Sequence, residues 1–138
     1  MTKLSWNSFY QTGVEIIDKE HQKMFEIVND ILTKVDEGVD KTQIQEVWNQ
    51  LVSITESHFL HEEKMMVEHR YPDVSEHEVE HENLLSELKE IQFRYPMDQI
   101  TLNEHLIEVL KKWLFTHILN SDIKFTDFLN LETEEKQS

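Results

Sequence analysis

Two pairs of residues in this chain of 138 have a spacing suited to binding a metal ion. His58 and Glu62 are four residues apart, and so are His77 and His81. A four-residue step turns an α-helix by only about 40° from its starting direction, so both members of each pair would lie on one face. The chain contains no Cys. Metal chemistry here would therefore use imidazole and carboxylate ligands, and a disulfide, a thiolate site or a cysteine nucleophile is excluded.

Two further histidines lie in line with apolar residues at helical spacing. His21 precedes Met24 and Phe25 by three and four residues, and His117 follows Trp113 by four. Both imidazoles are therefore predicted to point into the protein interior. Together with the two pairs, they would bring five imidazoles and one carboxylate into the core.

The number of these groups argues against a purely structural role. One inward histidine is usually a hydrogen-bonded core residue. Burying six ionisable groups unpaired, however, would cost several kcal/mol each, against a total stability of about 5–15 kcal/mol. Five histidines exceed a four-ligand zinc site, and carboxylates that two centres can share favour two irons. A ferritin-type site is disfavoured, because it needs a Glu-x-x-His pair on two helices and only Glu78 and His81 have that spacing.

The apolar periodicity predicts helices that could position these groups. They cover about residues 18–37, 41–66 and 74–92, with a fourth that opens near residue 102. Asp18 is the expected N-cap of the first helix, and Asp40 with Gln43 and Thr101 with Glu104 are expected capping boxes. Only 2 Gly and 2 Pro occur, far below the usual ~7% and ~5%. The sequence predicts an all-α fold, an antiparallel up-down-up-down four-helix bundle.

The chain is predicted to be a single domain over residues 1–138, with an ordered N-terminal arm at 1–17 and a frayed tail at 131–138. On the fourth helix the expected buried stripe is Leu102, Leu106, Val109, Leu110 and Trp113. Ionisable residues off the predicted inner faces are expected at the surface. These are His61, His69, His105, Glu63, Glu76, Glu78, Glu80 and Glu82.

The charge balance restricts the partners. The 13 Lys and Arg against 28 Asp and Glu give a formal net charge of -15, which repels nucleic acid and anionic membrane surfaces. The first twenty residues lack a basic segment followed by an apolar run, and no apolar stretch of about 18 residues occurs. A soluble, cytoplasmic protein is expected.

In full, the pattern of potential ligands resembles the hemerythrin family, in its bacterial form. The matching residues are Gly13 to His21 (GVEIIDKEH), His58-Phe59-x-x-Glu62, Glu63 with Met66, His77-x-x-x-His81, Trp113, and His117-Ile118-x-x-x-Asp122. The resemblance covers nearly the whole chain. It implies a nonhaem diiron centre in which His77, His81 and His117 bind one iron and His21 and His58 the other. Glu62, Asp122 and an oxo or hydroxo group would bridge the two irons.

The resemblance also implies a function. An open position on the iron with two histidines would bind dioxygen reversibly, for storage, transport or delivery to an oxygen-consuming enzyme. Leu114 is the candidate wall of the dioxygen pocket, with a role in core packing as the alternative. Trp113 and Phe59 are assigned beside it, although aromatic residues at helical spacing more often pack in the core. The protein would not be an enzyme, and a monomer is expected, with a homo-oligomer as the alternative. A diiron oxidase or peroxidase, an oxygen or redox sensor and a purely structural bundle remain alternative hypotheses.

Three local features carry their own expectations. His117 and Asp122 are five residues apart, which on a regular helix turns them roughly 140° away from each other. A π-bulge between Trp113 and Asp122 is therefore predicted. Phe125 stands where the family often has Tyr, so a hydroxyl is missing there. Glu20 stands where Gln is common and is expected to face solvent.

Overall fold

The computed structural model describes residues 3–137, with the side chains of that range except at positions 119 and 134–137. Over that range the chain forms four long helices and no strand. The first three are α1 (Glu15–Glu37), α2 (Lys41–Glu68) and α3 (Val74–Arg94). The fourth consists of α4 (Glu104–Thr116), a π-helical segment (His117–Asp122) and α5 (Ile123–Gln137). Short connections join neighbouring helices, and the predicted antiparallel four-helix bundle is confirmed.

The helix starts differ from the prediction at two of three places. Asp40 is the N-cap of α2 as expected, and its carboxylate accepts from the backbone N–H of Thr42 at 3.3 Å. The N–H of Gln43, the partner in the predicted capping box, donates instead to the backbone carbonyl of Asp40. Thr101 does not cap α4. Asn103, which is extended, accepts from the N–H of Leu106 at 2.9 Å and occupies the N-cap position. A side-chain amide one step before the helix therefore takes the role expected of Thr101.

Asp18 is not an N-cap either, because α1 already begins at Glu15. Its carboxylate accepts from the backbone N–H and the hydroxyl of Thr12, at 2.8 and 2.7 Å, and so ties the N-terminal arm to the first turn of α1. Gly13 makes the turn between them with φ of 84°, a conformation that favours glycine. The arm also contains a short 3₁₀ helix at Ser8–Tyr10.

The interior of the bundle contains two apolar clusters with a polar layer between them. The smaller cluster consists of Ile17, Met66, Tyr71, Phe125 and Leu129. The larger one fills the rest of the core and includes Phe25, Trp48, Leu51, Leu88 and Leu114. On every helix, the inward histidines and carboxylates occur along the chain between residues of the two clusters. The polar layer is therefore closed off from water along the bundle axis.

The buried face of α4 is rotated from the predicted stripe. Val109 is 48% exposed, whereas Ile107 and Leu114 are fully buried. Apolar residues occupy two adjacent stripes on this helix, and sequence periodicity does not choose between them. Contact with the rest of the bundle selects the stripe that contains Leu114.

The last helix continues through Gln137, so residues 131–137 are helical where a frayed tail is predicted. Leu129 packs in the smaller apolar cluster, and Glu132 lies 3.3 Å from His69, which ties this end to the bundle. Ser138 lies outside the described residues. Among the described helices, none is long and apolar enough to span a membrane.

Candidate metal centre

The seven side chains singled out by the sequence meet in the polar layer. Each helix contributes at least one of them, and each has no more than 5% of its surface exposed. They are His21 from α1, His58 and Glu62 from α2, His77 and His81 from α3, and His117 and Asp122 from the π-helical segment. Helical periodicity places the first five on inner faces, as predicted.

The π-helical segment brings the last two residues together. In a π-helix each N–H bonds to the carbonyl five residues earlier, as Ile123 does to Ile118 here. Residues five apart then lie on the same side of the helix, and Asp122 Oδ1 is 2.9 Å from His117 Nε2. The predicted π-bulge is confirmed. It costs regular hydrogen bonding in the helix, and it turns a carboxylate inward that an α-helix would turn away.

The donor atoms fall into two groups that share both carboxylates. The three-imidazole group consists of His77, His81 and His117 with Glu62 and Asp122, and the two-imidazole group consists of His21 and His58 with the same two carboxylates. Within each group, one donor atom from every residue lies within 4.8 Å of all the others.

Each shared carboxylate directs one oxygen to each group. Glu62 Oε1 lies 2.7 Å from His77 Nε2, and Oε2 lies 3.4 Å from His58 Nε2. Asp122 Oδ2 lies 2.6 Å from His21 Nε2, while its Oδ1 faces His117. A carboxylate that bridges two metal ions has this arrangement, with a different oxygen bound to each ion.

The donor geometry fits metal ligation better than hydrogen bonding. Both oxygens of Glu62 and the Nε2 atoms of all three imidazoles in the three-imidazole group are buried without a hydrogen-bond partner among the described residues. His77 Nε2 and Glu62 Oε1 are close but do not point at each other. For metal bonds of about 2.1 Å, two ligands at right angles lie about 3.0 Å apart. The observed separations of 2.6 to 3.4 Å bracket that value.

Without a cation, protons would have to neutralise this cluster. Burial lowers the pKa of His58, but hydrogen bonds to Asp122 and Glu20 outweigh it and raise the pKa to about 10. Burial also lowers the pKa of His117 and His77, but the nearby carboxylates outweigh it, chiefly that of Asp122, and raise the pKa to about 10 at His117 and about 9 at His77. Burial dominates at His81 and lowers its pKa. Since a metal ligand must be a neutral imidazole, a cation has to displace these protons.

Comparison with known proteins agrees with this geometry. The Hemerythrin HHE cation binding domain family matches residues 12–128 of the chain. The chain belongs to the hemerythrin family. A bacteriohemerythrin of Pseudomonas paraeruginosa is 32% identical over 127 residues, which cover 92% of this chain and 82% of that protein. A bacteriohemerythrin of Stenotrophomonas maltophilia is 30% identical, with 100% of this chain and 92% of that protein covered.

More distant members share the fold. A myohemerythrin of Theromyzon tessulatum is 28% identical over 120 residues, or 87% of this chain and 88% of that protein. The crystal structure of a wild-type hemerythrin superimposes with a TM-score of 0.85 at 23% identity, covering 91% of this chain and 97% of that chain. The cluster of His, Glu and Asp in this hemerythrin-family chain is thus of a kind suited to metal binding.

Two glutamates that were predicted at the surface contact the Nδ1 atoms of donor imidazoles instead. Glu20, expected to face solvent, has a side chain only 13% exposed and lies between His58 and His61. Glu80, expected on a solvated face, accepts a hydrogen bond from His117 Nδ1 at 3.0 Å and is 38% exposed. His117 is the main reason that the pKa of Glu80 falls to about 2. Periodicity within one helix gives no signal for such contacts, because the partners lie on different helices.

Ser121 is a third functional candidate that the sequence did not indicate. Its hydroxyl lies 2.7 and 2.6 Å from the two oxygens of Glu80 and so holds the carboxylate against His117. The remaining predicted surface residues differ in exposure. His105 is exposed, whereas the side chain of Glu63 is only 22% exposed and lies 3.6 Å from His81 Nδ1.

The aromatic residues of the predicted pocket lie against the three-imidazole group. Phe59 stacks on His81 with ring centroids 3.8 Å apart, and Trp113 lies nearly parallel to His117 at 6.4 Å. Leu114 is fully buried in the larger apolar cluster.

Phe125, where the family often has Tyr, is also fully buried, and its ring centroid lies 5.0 Å from that of Tyr71. Phe125 is thus part of the smaller apolar cluster.

Proposed function

We propose that this chain binds dioxygen reversibly at a nonhaem diiron centre formed by the seven buried side chains. The observation that carries the proposal is the sharing of Glu62 and Asp122 between two donor groups. His77, His81 and His117 would hold one iron, and His21 and His58 the other. Two ferrous ions bound there would supply two electrons and a coordination position for dioxygen.

The unequal donor sets support binding at one of the two ions. Five side chains converge on the three-imidazole group and four on the two-imidazole group. The ion in the two-imidazole group would therefore keep one more position free for an external ligand. An open coordination position is also what separates a reactive metal site from a structural one.

The surroundings would favour release of dioxygen over onward chemistry. Leu114 and the larger apolar cluster would keep water from the polar layer, and limited access of water and protons protects a bound ligand from further reaction. Phe59 and Trp113 would orient the imidazoles of His81 and His117. The proposal gives no residue a role as acid, base or nucleophile toward an organic substrate, so a binding protein rather than an enzyme is expected.

Anaerobic reduction followed by titration with oxygen tests the proposal. We expect two irons per chain and one dioxygen taken up for every two irons, with recovery of the reduced spectrum when oxygen is removed. One zinc per chain, or no metal after expression in iron-rich medium, would contradict the diiron centre. Sustained consumption of oxygen with a reductant would indicate an oxidase or peroxidase instead.

A further inference from the structure

Glu20 of α1 is not one of the seven donors, but its carboxylate contacts two histidines of α2. Its Oε1 lies 3.3 Å from Nδ1 of His58, and its Oε2 lies 2.8 Å from Nδ1 of His61. The carboxylate is largely buried, whereas His61 is 53% exposed. Glu20 therefore connects the inner imidazole to one at the surface.

The chemistry of the contact determines which nitrogen of His58 carries the proton. An ionised carboxylate can only accept hydrogen bonds, so Nδ1 of His58 must donate to Glu20. A neutral imidazole with its proton on Nδ1 has its lone pair on Nε2, which points into the polar layer toward Asp122. Each oxygen of Glu20 faces a different histidine Nδ1, so the carboxylate has one donor for each of its two oxygens.

We propose that Glu20 is a positioning residue of the two-imidazole group, which holds His58 in the Nδ1-protonated form and orients its Nε2 toward the metal. His61 supports this role of Glu20, because it binds the second oxygen of the carboxylate and would keep the carboxylate from rotating toward solvent. This inference rests on the proposed metal centre. Partners of this kind raise the basicity of an imidazole ligand, and their loss costs about 10–100-fold in metal affinity or activity.

The other half of the centre provides an internal comparison. Glu80 accepts from Nδ1 of His117 and is held by Ser121, so each donor group has one imidazole backed by a carboxylate. In contrast, Nδ1 of His21 is buried without a hydrogen-bond partner among the described residues. Replacement of Glu20 should therefore act on one half of the centre and replacement of Glu80 on the other.

The experiment measures how fast a strong chelator removes iron from the loaded protein. The rates for the two irons should separate into two phases, since the two donor sets are unequal. In Glu20→Ala we expect one phase to accelerate about tenfold or more and the other to keep its wild-type rate. Glu20→Gln retains an oxygen acceptor without the charge, so its rate of iron removal should lie between those of the wild type and Glu20→Ala. Removing the negative charge should also shift the reduction potential of that iron upward, because the charge favours the ferric state.

Three variants complete the test. Glu80→Ala should accelerate the other phase, His61→Ala should give a smaller effect than Glu20→Ala, and Glu26→Gln, at a 70% exposed position of the same helix, should change nothing. Equal acceleration of both phases in Glu20→Ala would show a merely structural role and overturn the proposal, as would unchanged rates. The same series with Co²⁺ does not depend on iron or dioxygen chemistry. A failed oxygen titration of the wild type therefore remains distinguishable from a failure of this inference.

Discussion

The two halves of the candidate metal centre, the three-imidazole group and the two-imidazole group, differ in how their donor atoms are hydrogen-bonded within the protein. In the three-imidazole group, Nε2 of His77, His81 and His117 all lack a hydrogen-bond partner among the described residues. In the two-imidazole group, Nε2 of His21 and Nε2 of His58 each form a hydrogen bond with Asp122 Oδ2. In the two-imidazole group, protons on the imidazoles can therefore be shared with Asp122. The Nε2 atoms of the three-imidazole group have no such acceptor, and their geometry suits a cation.

Packing explains part of this difference. In the three-imidazole group two imidazoles are held by neighbours that are not ligands, since Phe59 stacks on His81 and Glu80 with Ser121 holds His117. In the two-imidazole group Glu20 holds His58, whereas Nδ1 of His21 has no such partner among the described residues. Such preorganisation lowers the cost of binding, because the ligands lose little freedom when the ion arrives. Under the proposed function, the three-imidazole group would hold its ion tightly, and the more adaptable two-imidazole group would bind the external ligand.

The strongest test removes what the two halves share. Glu62→Ala deletes a carboxylate that directs one oxygen to each group, so both ions lose a ligand and the bridge between them. We expect iron to fall from two per chain to less than one by elemental analysis. Glu46→Gln, an exposed position on the same helix, is the matched control. Retention of two irons in Glu62→Ala would show that the halves are independent.

Metal removal should cost the protein more stability at high pH than at low pH. The folded-state pKa values of His58 and His117 are raised from the ordinary 6.5 to about 10, and that of His77 to about 9. Groups with a raised folded-state pKa stabilise the metal-free protein fully below about pH 6.5, and this stabilisation is lost as the pH rises through 9 to 10. Metal affinity rises over the same window, since fewer protons compete.

Thermal melts of both forms between pH 6 and 10 measure this effect. The loaded form should gain about 2.7 kcal/mol when free metal is 100 times its dissociation constant, or roughly 5–10 °C in melting temperature. The gap between the two forms should widen toward high pH. A metal-free protein as heat-stable as the loaded one, or one that gains stability from pH 7 to 10, would contradict the coupling.

Single imidazoles should separate the two halves. His58→Ala should abolish the weaker of two binding steps and preserve the tighter one. His81→Ala leaves two imidazoles in each group and should weaken the tighter step by at least about 10–100-fold, the cost of losing even an outer partner. Titration of the metal-free variants with Co²⁺ gives both constants. If both variants lost the same binding step, the assignment of the tighter step to the three-imidazole group would be wrong.

The smallest expected effect concerns the apolar wall near the centre. If Leu114 excludes water from the pocket, Leu114→Ala should speed oxidation of the oxygenated protein to the diferric form. If Leu114 only packs in the core, the variant should lose about 2–5 kcal/mol of stability while the oxidation rate stays unchanged. Stopped-flow spectra of the oxygenated protein together with thermal melts distinguish the two. An unaltered decay rate would remove Leu114 from the pocket.

The inner faces of α1, α2 and α3 followed from the sequence because a helix determines them locally. His58 and Glu62, or His77 and His81, share a face whatever the rest of the chain does, since their angular separation depends only on spacing. The five-residue spacing of His117 and Asp122 even predicted the local π-helical geometry, which Ile123 and Ile118 confirm.

Tertiary structure decided what spacing leaves open. Whether α4 buries Val109 or Leu114 depends on how the helix is rotated against its neighbours, and both stripes are apolar. Glu20 and Glu80 appear as surface residues on their own helices, but each meets a histidine of another helix. Periodicity describes one helix at a time, whereas contacts between helices depend on their rotation and separation, and those are settled only when the whole core packs.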